Sequence, residues 1–276
     1  MKRRLKPGVI ILVASVLAAL ALLANGKMKK KDKTLIEKFE EKELTAEIGY
    51  SLSNLRYIVS GNLKSDTAVF FIHGAPGSLD AYLPYFFYPE MQQKYMLLAV
   101  DRPGYGESDK TPILSVKAQA DRMLEIVHKY PNKKWILVGH SYGVPIAGIL
   151  SCLMPEITVK SILLAGAVDP NLEKFEWLAR ISNSAIARRI LPHAIDVSTL
   201  EKLSHRQQLQ EVEPLWQSVS VPTYVVHGTS DILVPYKNVE FLKERIPNQF
   251  FHLQTIQKEN HFFLFSDKTV LLNYLK

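Results

Sequence analysis

The pentapeptide Gly139-His140-Ser141-Tyr142-Gly143 stands between an apolar run, Trp135-Ile136-Leu137-Val138, and a helical pattern over residues 144–153. A buried strand followed by a helix needs a sharp turn, and the two glycines leave room for the chain to pack there. A serine in that turn holds its hydroxyl above the edge of the sheet. This context predicts that Ser141 is a nucleophile, although Gly-x-Ser-x-Gly without it is equally typical of a glycine-rich turn.

Six further apolar runs of strand length are spread along the chain, at residues 55–59, 68–72, 96–100, 161–165, 223–226 and 250–253. They alternate with helical patterns such as residues 116–130. Runs that are apolar on both faces and alternate with helices are typical of a parallel sheet covered on two sides. We therefore predict an α/β fold with a central, mostly parallel sheet.

Residues 170–221 interrupt this alternation, because they contain short helical patterns, such as 172–181 and 199–210, and no clear strand. Open parallel sheets bind ligands at the carboxyl ends of their strands. We expect the insertion to form a helical cap over that edge, where its aromatic and aliphatic residues would line an apolar pocket. Surface helices without a role in binding are the alternative.

Motifs that carry polar side chains follow four of the predicted strands. They are His73-Gly74-Ala75-Pro76-Gly77-Ser78, Asp101-Arg102-Pro103-Gly104-Tyr105-Gly106-Glu107-Ser108-Asp109, His227-Gly228-Thr229-Ser230-Asp231 and Asn260-His261-Phe262. Together with the serine turn, they resemble the α/β-hydrolase superfamily, specifically its Ser-nucleophile members with a His-Gly-x-Pro-Gly loop. The resemblance covers residue 44 to the C-terminus. Serine at 141 argues against the haloalkane dehalogenases and epoxide hydrolases, which share the loop but use an aspartate nucleophile.

A serine becomes a strong nucleophile when an imidazole takes its proton and a carboxylate orients that imidazole. The resemblance implies the chain order serine, acid, histidine, which Ser141, Asp231 and His261 fit. Asp169, which follows the apolar run at residues 161–165, is the alternative acid. The resemblance also implies an oxyanion hole formed by the backbone N–H groups of Ala75 and Tyr142.

These features predict a serine hydrolase that cleaves an ester, or a related acyl bond, of a small apolar substrate through an acyl-enzyme. Hydrolysis of an amide, thioester or carbon–carbon bond by the same residues, as in proline iminopeptidases, is an alternative. A catalytically silent binding protein on this scaffold is another. The sequence has no metal-ligand spacing and no glycine-rich phosphate loop, so we expect neither a metal nor a cofactor.

The net charge of +7 belongs to the N-terminus. Residues 1–33 contain nine Lys/Arg and one acidic residue, so residues 34–276 carry a net charge of −1. Nucleic-acid binding needs a basic face on the folded domain, and the sequence therefore argues against it. The single cysteine, Cys152, cannot form an intrachain disulfide.

The basic clusters flank residues 9–24, which carry no charge. Their sixteen residues would span about 24 Å as a helix, slightly less than the hydrocarbon core of a bilayer. We predict a single-pass membrane anchor within residues 1–26, with a charged linker at 27–43 and the hydrolase domain at 44–276. A cleaved export signal is the alternative, and the balanced flanking charges leave the orientation open. The sequence indicates no oligomeric state.

Overall fold

The computed structural model describes residues 35–275, in which eight strands form one sheet. The strands are β1 (Ala46–Tyr50), β2 (Arg56–Gly61), β3 (Thr67–Ile72), β4 (Met96–Val100), β5 (Lys134–His140), β6 (Thr158–Leu164), β7 (Thr223–Gly228) and β8 (Phe251–Ile256). Their order is β1-β2-β4-β3-β5-β6-β7-β8; β2 is antiparallel to its two neighbours, and strands β3 to β8 are parallel. The predicted sheet is confirmed.

Strand β1 is the one strand that we did not predict. It lies at the edge of the sheet and pairs only with β2, and none of its residues is buried. A strand that buries neither face carries no continuous apolar run, so periodicity could not reveal it.

Successive residues of the central strands face opposite sides of the sheet and belong to two separate cores. Phe70 and Leu98 pack in one core, whereas Phe71 and Leu97 pack in the other. Each core is closed by its own helices, as expected when both faces of a parallel sheet are covered. This burial explains why the strands are apolar without alternation.

Eleven helices are described between residues 35 and 275. They are α1 (Leu35–Glu40), α2 (Leu83–Phe86), α3 (Pro89–Lys94), α4 (Val116–Val127), α5 (Gly143–Leu153), α6 (Glu176–Ser182), α7 (Ala187–Ile190), α8 (His193–Val212), α9 (Asn238–Arg245), α10 (Phe263–Ser266) and α11 (Thr269–Leu275). Helices α4, α5 and α9 cover one face of the sheet, and helices α1 to α3, α10 and α11 cover the other.

The connection from β6 to β7 contains α6, α7 and α8 and no strand. Helix α8 has twenty residues and is longer than the predicted segment 199–210. Helix α6 packs on α8, and α7 packs on α6. The insertion therefore has an inner layer, α8, and an outer layer, α6 and α7.

The predicted membrane anchor and residues 27–34 of the predicted linker lie outside the described residues. Among residues 35–275, no helix has both the length and the apolar character that crossing a membrane requires. The described end of the linker packs on the domain, because Phe39 of α1 is fully buried against Phe86 and Phe87. The aromatic side chain of Phe39 explains why this part folds onto the sheet although its neighbours are charged.

Candidate active site

The turn between β5 and α5 holds Ser141 in a left-handed conformation, with φ of 53°. Such a conformation is uncommon for a residue with a side chain and is found at functional sites. A Cβ added to Gly139 would lie 2.6 Å from the carbonyl oxygen of Gly143, and one added to Gly143 would lie 2.4 Å from that of Ile72. Glycine is therefore required at both positions for the helix to pack this close to the strands.

The loop that follows β3 passes directly beside this turn. A Cβ added to Gly74 would lie 3.0 Å from the Cβ of Ser141. Within residues 35–275, neither the N–H of Ala75 nor the N–H of Tyr142 donates a hydrogen bond. Two unpartnered backbone donors next to a serine hydroxyl are what an oxyanion hole requires.

Asp231 and His261 form a hydrogen bond between the loops that follow β7 and β8. The Nδ1–H of His261 donates to Oδ2 of Asp231 over 2.7 Å, and both residues are buried. The other oxygen, Oδ1, accepts the N–H groups of Leu233 and Val234 at 3.0 and 2.8 Å. The carboxylate therefore holds both the imidazole and its own turn.

The pKa of Asp231 reflects a balance between burial and these contacts. Burial alone would raise the pKa, but hydrogen bonds from His227 and His261, the charge of His261 and the Val234 N–H together lower it far below its usual range. Asp231 is therefore ionised at neutral pH and can stabilise a positively charged His261.

His261 lies against the residue that precedes Ser141. The rings of His140 and His261 have centroids 4.8 Å apart, and the Nε2–H of His140 donates to the carbonyl oxygen of His261 over 3.1 Å. Burial, reinforced by the nearby His261, lowers the pKa of His140 to about 3, so its ring is neutral. His140 thus fixes the backbone of His261 on the side of the serine turn.

Ser141 Oγ and His261 Nε2 are not joined by a hydrogen bond in the described part of the chain. Hydrogen bonds of this kind are often long without substrate and shorten in the complex. Because Nδ1 of His261 is occupied by Asp231, Nε2 is the nitrogen left for the serine.

Asp169, the alternative acid, has a different role. Its Oδ1 accepts the N–H of Asn171 over 2.8 Å and caps the short 3₁₀ turn that enters the cap. No histidine contacts its carboxylate among residues 35–275. Of the two predicted acids, the structure brings only Asp231 to His261.

A fully buried ion pair beneath the cap was not predicted from the sequence. Arg102, in the loop after β4, forms two hydrogen bonds with Glu201 of α8, Nη1 to Oε1 over 2.5 Å and Nη2 to Oε2 over 3.1 Å. Tyr105 donates to the same carboxylate over 2.6 Å. Burial disfavours the charge of Arg102, but Glu201 and Tyr105 raise its pKa above the usual range.

The guanidinium of Arg102 also contacts both loops that carry the unpartnered N–H groups. It donates to the carbonyl oxygens of His73 and Gly74 at 2.9 and 3.0 Å, directly before Ala75. It also lies over the ring of Tyr142, 4.5 Å from its centroid. One side chain therefore joins the cap, the loop after β3 and the serine turn.

The other face of Tyr142 is covered by the cap. The ring of His205, in α8, stacks on it with centroids 4.5 Å apart. The Nδ1 of His205 is 3.0 Å from Oε1 of Glu173, which also pairs with Lys202. Burial opposes the charge of Glu173, but these two partners lower its pKa to about 2.

No group of three or more His, Cys, Asp or Glu residues within 35–275 has an arrangement that could hold a metal ion. The polar groups at the site are the serine, the histidine–carboxylate pair and the backbone donors described above. Such a set can activate a hydroxyl and stabilise an oxyanion.

Comparison with known proteins agrees with this architecture. Residues 67–184 match the family model described as alpha/beta hydrolase fold. Protein ABHD8 from Mus musculus is 26% identical over 232 residues, which cover 72% of this chain and 52% of the relative. The chain thus spans about half the length of the curated relatives that it matches first.

Two solved structures share the fold at low sequence identity. A bacterial membrane phospholipase A is 17% identical with a TM-score of 0.66, covering 97% of this chain and 96% of that one. A lipase-esterase related protein from Clostridium acetobutylicum is 17% identical with a TM-score of 0.67, covering 80% and 98%. The strand order and these likenesses show that the chain has the α/β-hydrolase fold, to whose family model residues 67–184 are similar.

Proposed function

We propose that this protein is a serine hydrolase that cleaves an ester of a small apolar substrate through an acyl-enzyme. The observation that carries the proposal is the 2.7 Å hydrogen bond between His261 and Asp231 at the sheet edge that also presents Ser141. A buried carboxylate that orients an imidazole beside a strained serine is the arrangement of a Ser-His-Asp triad.

In the first step, Ser141 Oγ attacks the carbonyl carbon while His261 Nε2 takes the hydroxyl proton. The tetrahedral intermediate then breaks its bond to the leaving group, which receives that proton from His261. Water attacks the resulting acyl-enzyme, its proton passes to His261, and the acid leaves as Ser141 regains a proton. Asp231 stays ionised throughout and stabilises the imidazolium formed in each half.

The oxyanion of each intermediate needs donors that are already in place. We assign this role to the N–H groups of Ala75 and Tyr142. Support comes from their lack of other partners and from the approach of Gly74 to Ser141. Removing one such donor in other hydrolases costs roughly 10²–10³ in kcat.

The test is labelling of the full-length protein with a fluorophosphonate, followed by location of the adduct and by hydrolysis of aryl esters with short and long acyl chains. We expect the adduct on Ser141, and we expect Ser141→Ala to lose both labelling and turnover. Ser230→Ala is the matched control, because Ser230 is an exposed serine next to Asp231. Turnover by Ser141→Ala at the wild-type rate would refute the proposal.

The same experiment separates the alternatives. A labelled Ser141 without esterase activity would favour an amide, thioester or carbon–carbon bond as the scissile bond. No adduct on folded protein would favour a silent binding scaffold.

A further inference from the structure

The outer layer of the cap exposes large apolar side chains next to arginines. In α6, Trp177, Arg180 and Ile181 are exposed, and their spacing of i, i+3 and i+4 places them on one face of the helix. Ala179 and Ser182 lie on the opposite, buried face. The exposed fractions of Trp177 and Ile181 are 41% and 43%.

Helix α7, together with its N-cap residue Ile186, repeats the same pattern. Ile186, Arg189 and Ile190 have the spacing i, i+3 and i+4, and the two isoleucines are 78% and 76% exposed. Two successive short helices therefore present an arginine between exposed apolar side chains. Scattered surface leucines or isoleucines need no explanation, but the same exposed pattern in two successive helices that pack on each other does.

The charge of this layer is one-sided. Residues 174–190 contain four Lys/Arg and one acidic residue, Glu176, which pairs with Arg206 of α8. Lys174, Arg180 and Arg189 form no ion pair with any residue of the described range 35–275. Three free cations among exposed aromatic and aliphatic side chains match an anionic lipid surface, where apolar groups insert and arginines contact the headgroups.

The position of the layer fits the same partner. The cap and the loops of Asp231 and His261 all lie at the carboxyl ends of the parallel strands, where Ile232 and Phe262 are also exposed. Helix α1, at which the chain enters the described region, reaches this edge, because Lys38 Nζ is 3.1 Å from Asp80 Oδ1 in the 3₁₀ turn after the loop that follows β3. The described end of the predicted linker therefore lies at the same ends of the strands as the cap.

We propose that the outer face of the cap, formed by α6 and α7, docks on the surface of an anionic lipid bilayer. Docking places the inner helix α8 and the site between the sheet and the lipid. It does not depend on the proposed hydrolysis, so Ser141→Ala must dock as the wild type does.

The tryptophans allow a direct test in the full-length chain. Trp135 and Trp216 are 0% and 3% exposed, so Trp177 is the one that lipid can reach; residues 1–34 contain no tryptophan. Tryptophan emission is compared in vesicles of phosphatidylglycerol and phosphatidylcholine with plain or brominated acyl chains. We expect brominated lipid to quench the wild type and Trp177→Phe to lose that quenching. The predicted anchor would attach every variant to the vesicle to the same extent, so differences in quenching measure where the cap lies.

Paired variants identify the surface. Ile186→Glu/Ile190→Glu should reduce quenching. The control Leu63→Glu/Leu153→Glu should not, because Leu63 and Leu153 are exposed at the amino ends of the parallel strands, away from the cap. Arg180→Glu/Arg189→Glu should reduce quenching in the anionic vesicles. Equal emission in plain and brominated vesicles, or equal quenching of the wild type and Trp177→Phe, would overturn the proposal. Equal quenching with and without phosphatidylglycerol would overturn the inference that the lipid surface must be anionic.

Discussion

Replacing Glu201 by glutamine would leave the guanidinium of Arg102 buried without a neighbouring negative charge. Both side chains are 0% exposed and their closest atoms are 2.5 Å apart. At about 3 Å and an effective dielectric constant of about 20, the lost attraction is on the order of 5 kcal/mol. Glutamine keeps part of the hydrogen bonding, and breaking buried pairs in other proteins costs about 3–5 kcal/mol. We expect Glu201→Gln to lower the free energy of unfolding by about 3–5 kcal/mol.

The assay is denaturant unfolding of the full-length protein, followed by tryptophan fluorescence, since Trp135 and Trp216 are buried. Glu213→Gln is the matched control. Glu213 also pairs with an arginine, Arg245, at 2.7 Å, but the two side chains are 35% and 23% exposed. Exposed pairs contribute about 0–1 kcal/mol, so the control should change little.

Equal losses in the two variants would refute the reasoning that burial makes the loss of Glu201 costlier than the loss of Glu213. The double variant Arg102→Met/Glu201→Leu adds a check. Removing both charges together should cost less than the sum of the single losses, because neither charge is then left unpaired.

Two further predictions concern the acids. Asp231→Asn should lower kcat by roughly 10⁴-fold, because His261 loses the carboxylate that sets its tautomer. Asp169→Asn should leave kcat within a few-fold of the wild-type value. Comparable losses in both variants would contradict the assignment of Asp231 as the acid that orients His261. The pKa of Glu173 is lowered from 4.5 to about 2, so its contribution to stability is complete above pH 4.5 and is lost as the pH falls towards 2. Glu173→Gln should therefore flatten the decline of the unfolding midpoint in that window, and an unchanged decline would contradict this expectation.

The sheet could be predicted because its central strands bury both faces and so appear as continuous apolar runs. The segments at 68–72 and 96–100 appear within β3 and β4 with almost the same bounds. Strand β1 and helix α8 were harder for opposite reasons. The edge strand β1 buries no residue. Helix α8 buries polar side chains such as Glu201 and His205, which interrupt the helical spacing of apolar residues by which a buried helix is recognised in the sequence.

The site residues that the sequence indicated are those whose signal is local. Ser141 stands between glycines at a strand end, and Asp231 and His261 follow the last two predicted strands. The choice between Asp231 and Asp169 was not local, because both aspartates end a strand. Their geometry separates them, since only Asp231 lies within hydrogen-bond distance of His261.

Sequence alone was sufficient for the parallel sheet and the serine turn, because each depends on short local patterns, whereas the order serine, acid, histidine was what the resemblance to the α/β-hydrolase superfamily implied. Only the folded chain revealed the contact between Arg102 and Glu201, 99 positions apart, and the enclosure of Tyr142 between Arg102 and His205. In the sequence nothing indicates that Arg102, Glu201 and His205 are buried or which residues they contact. Their burial and pairing arise when the cap closes over the sheet, and no local pattern encodes that contact.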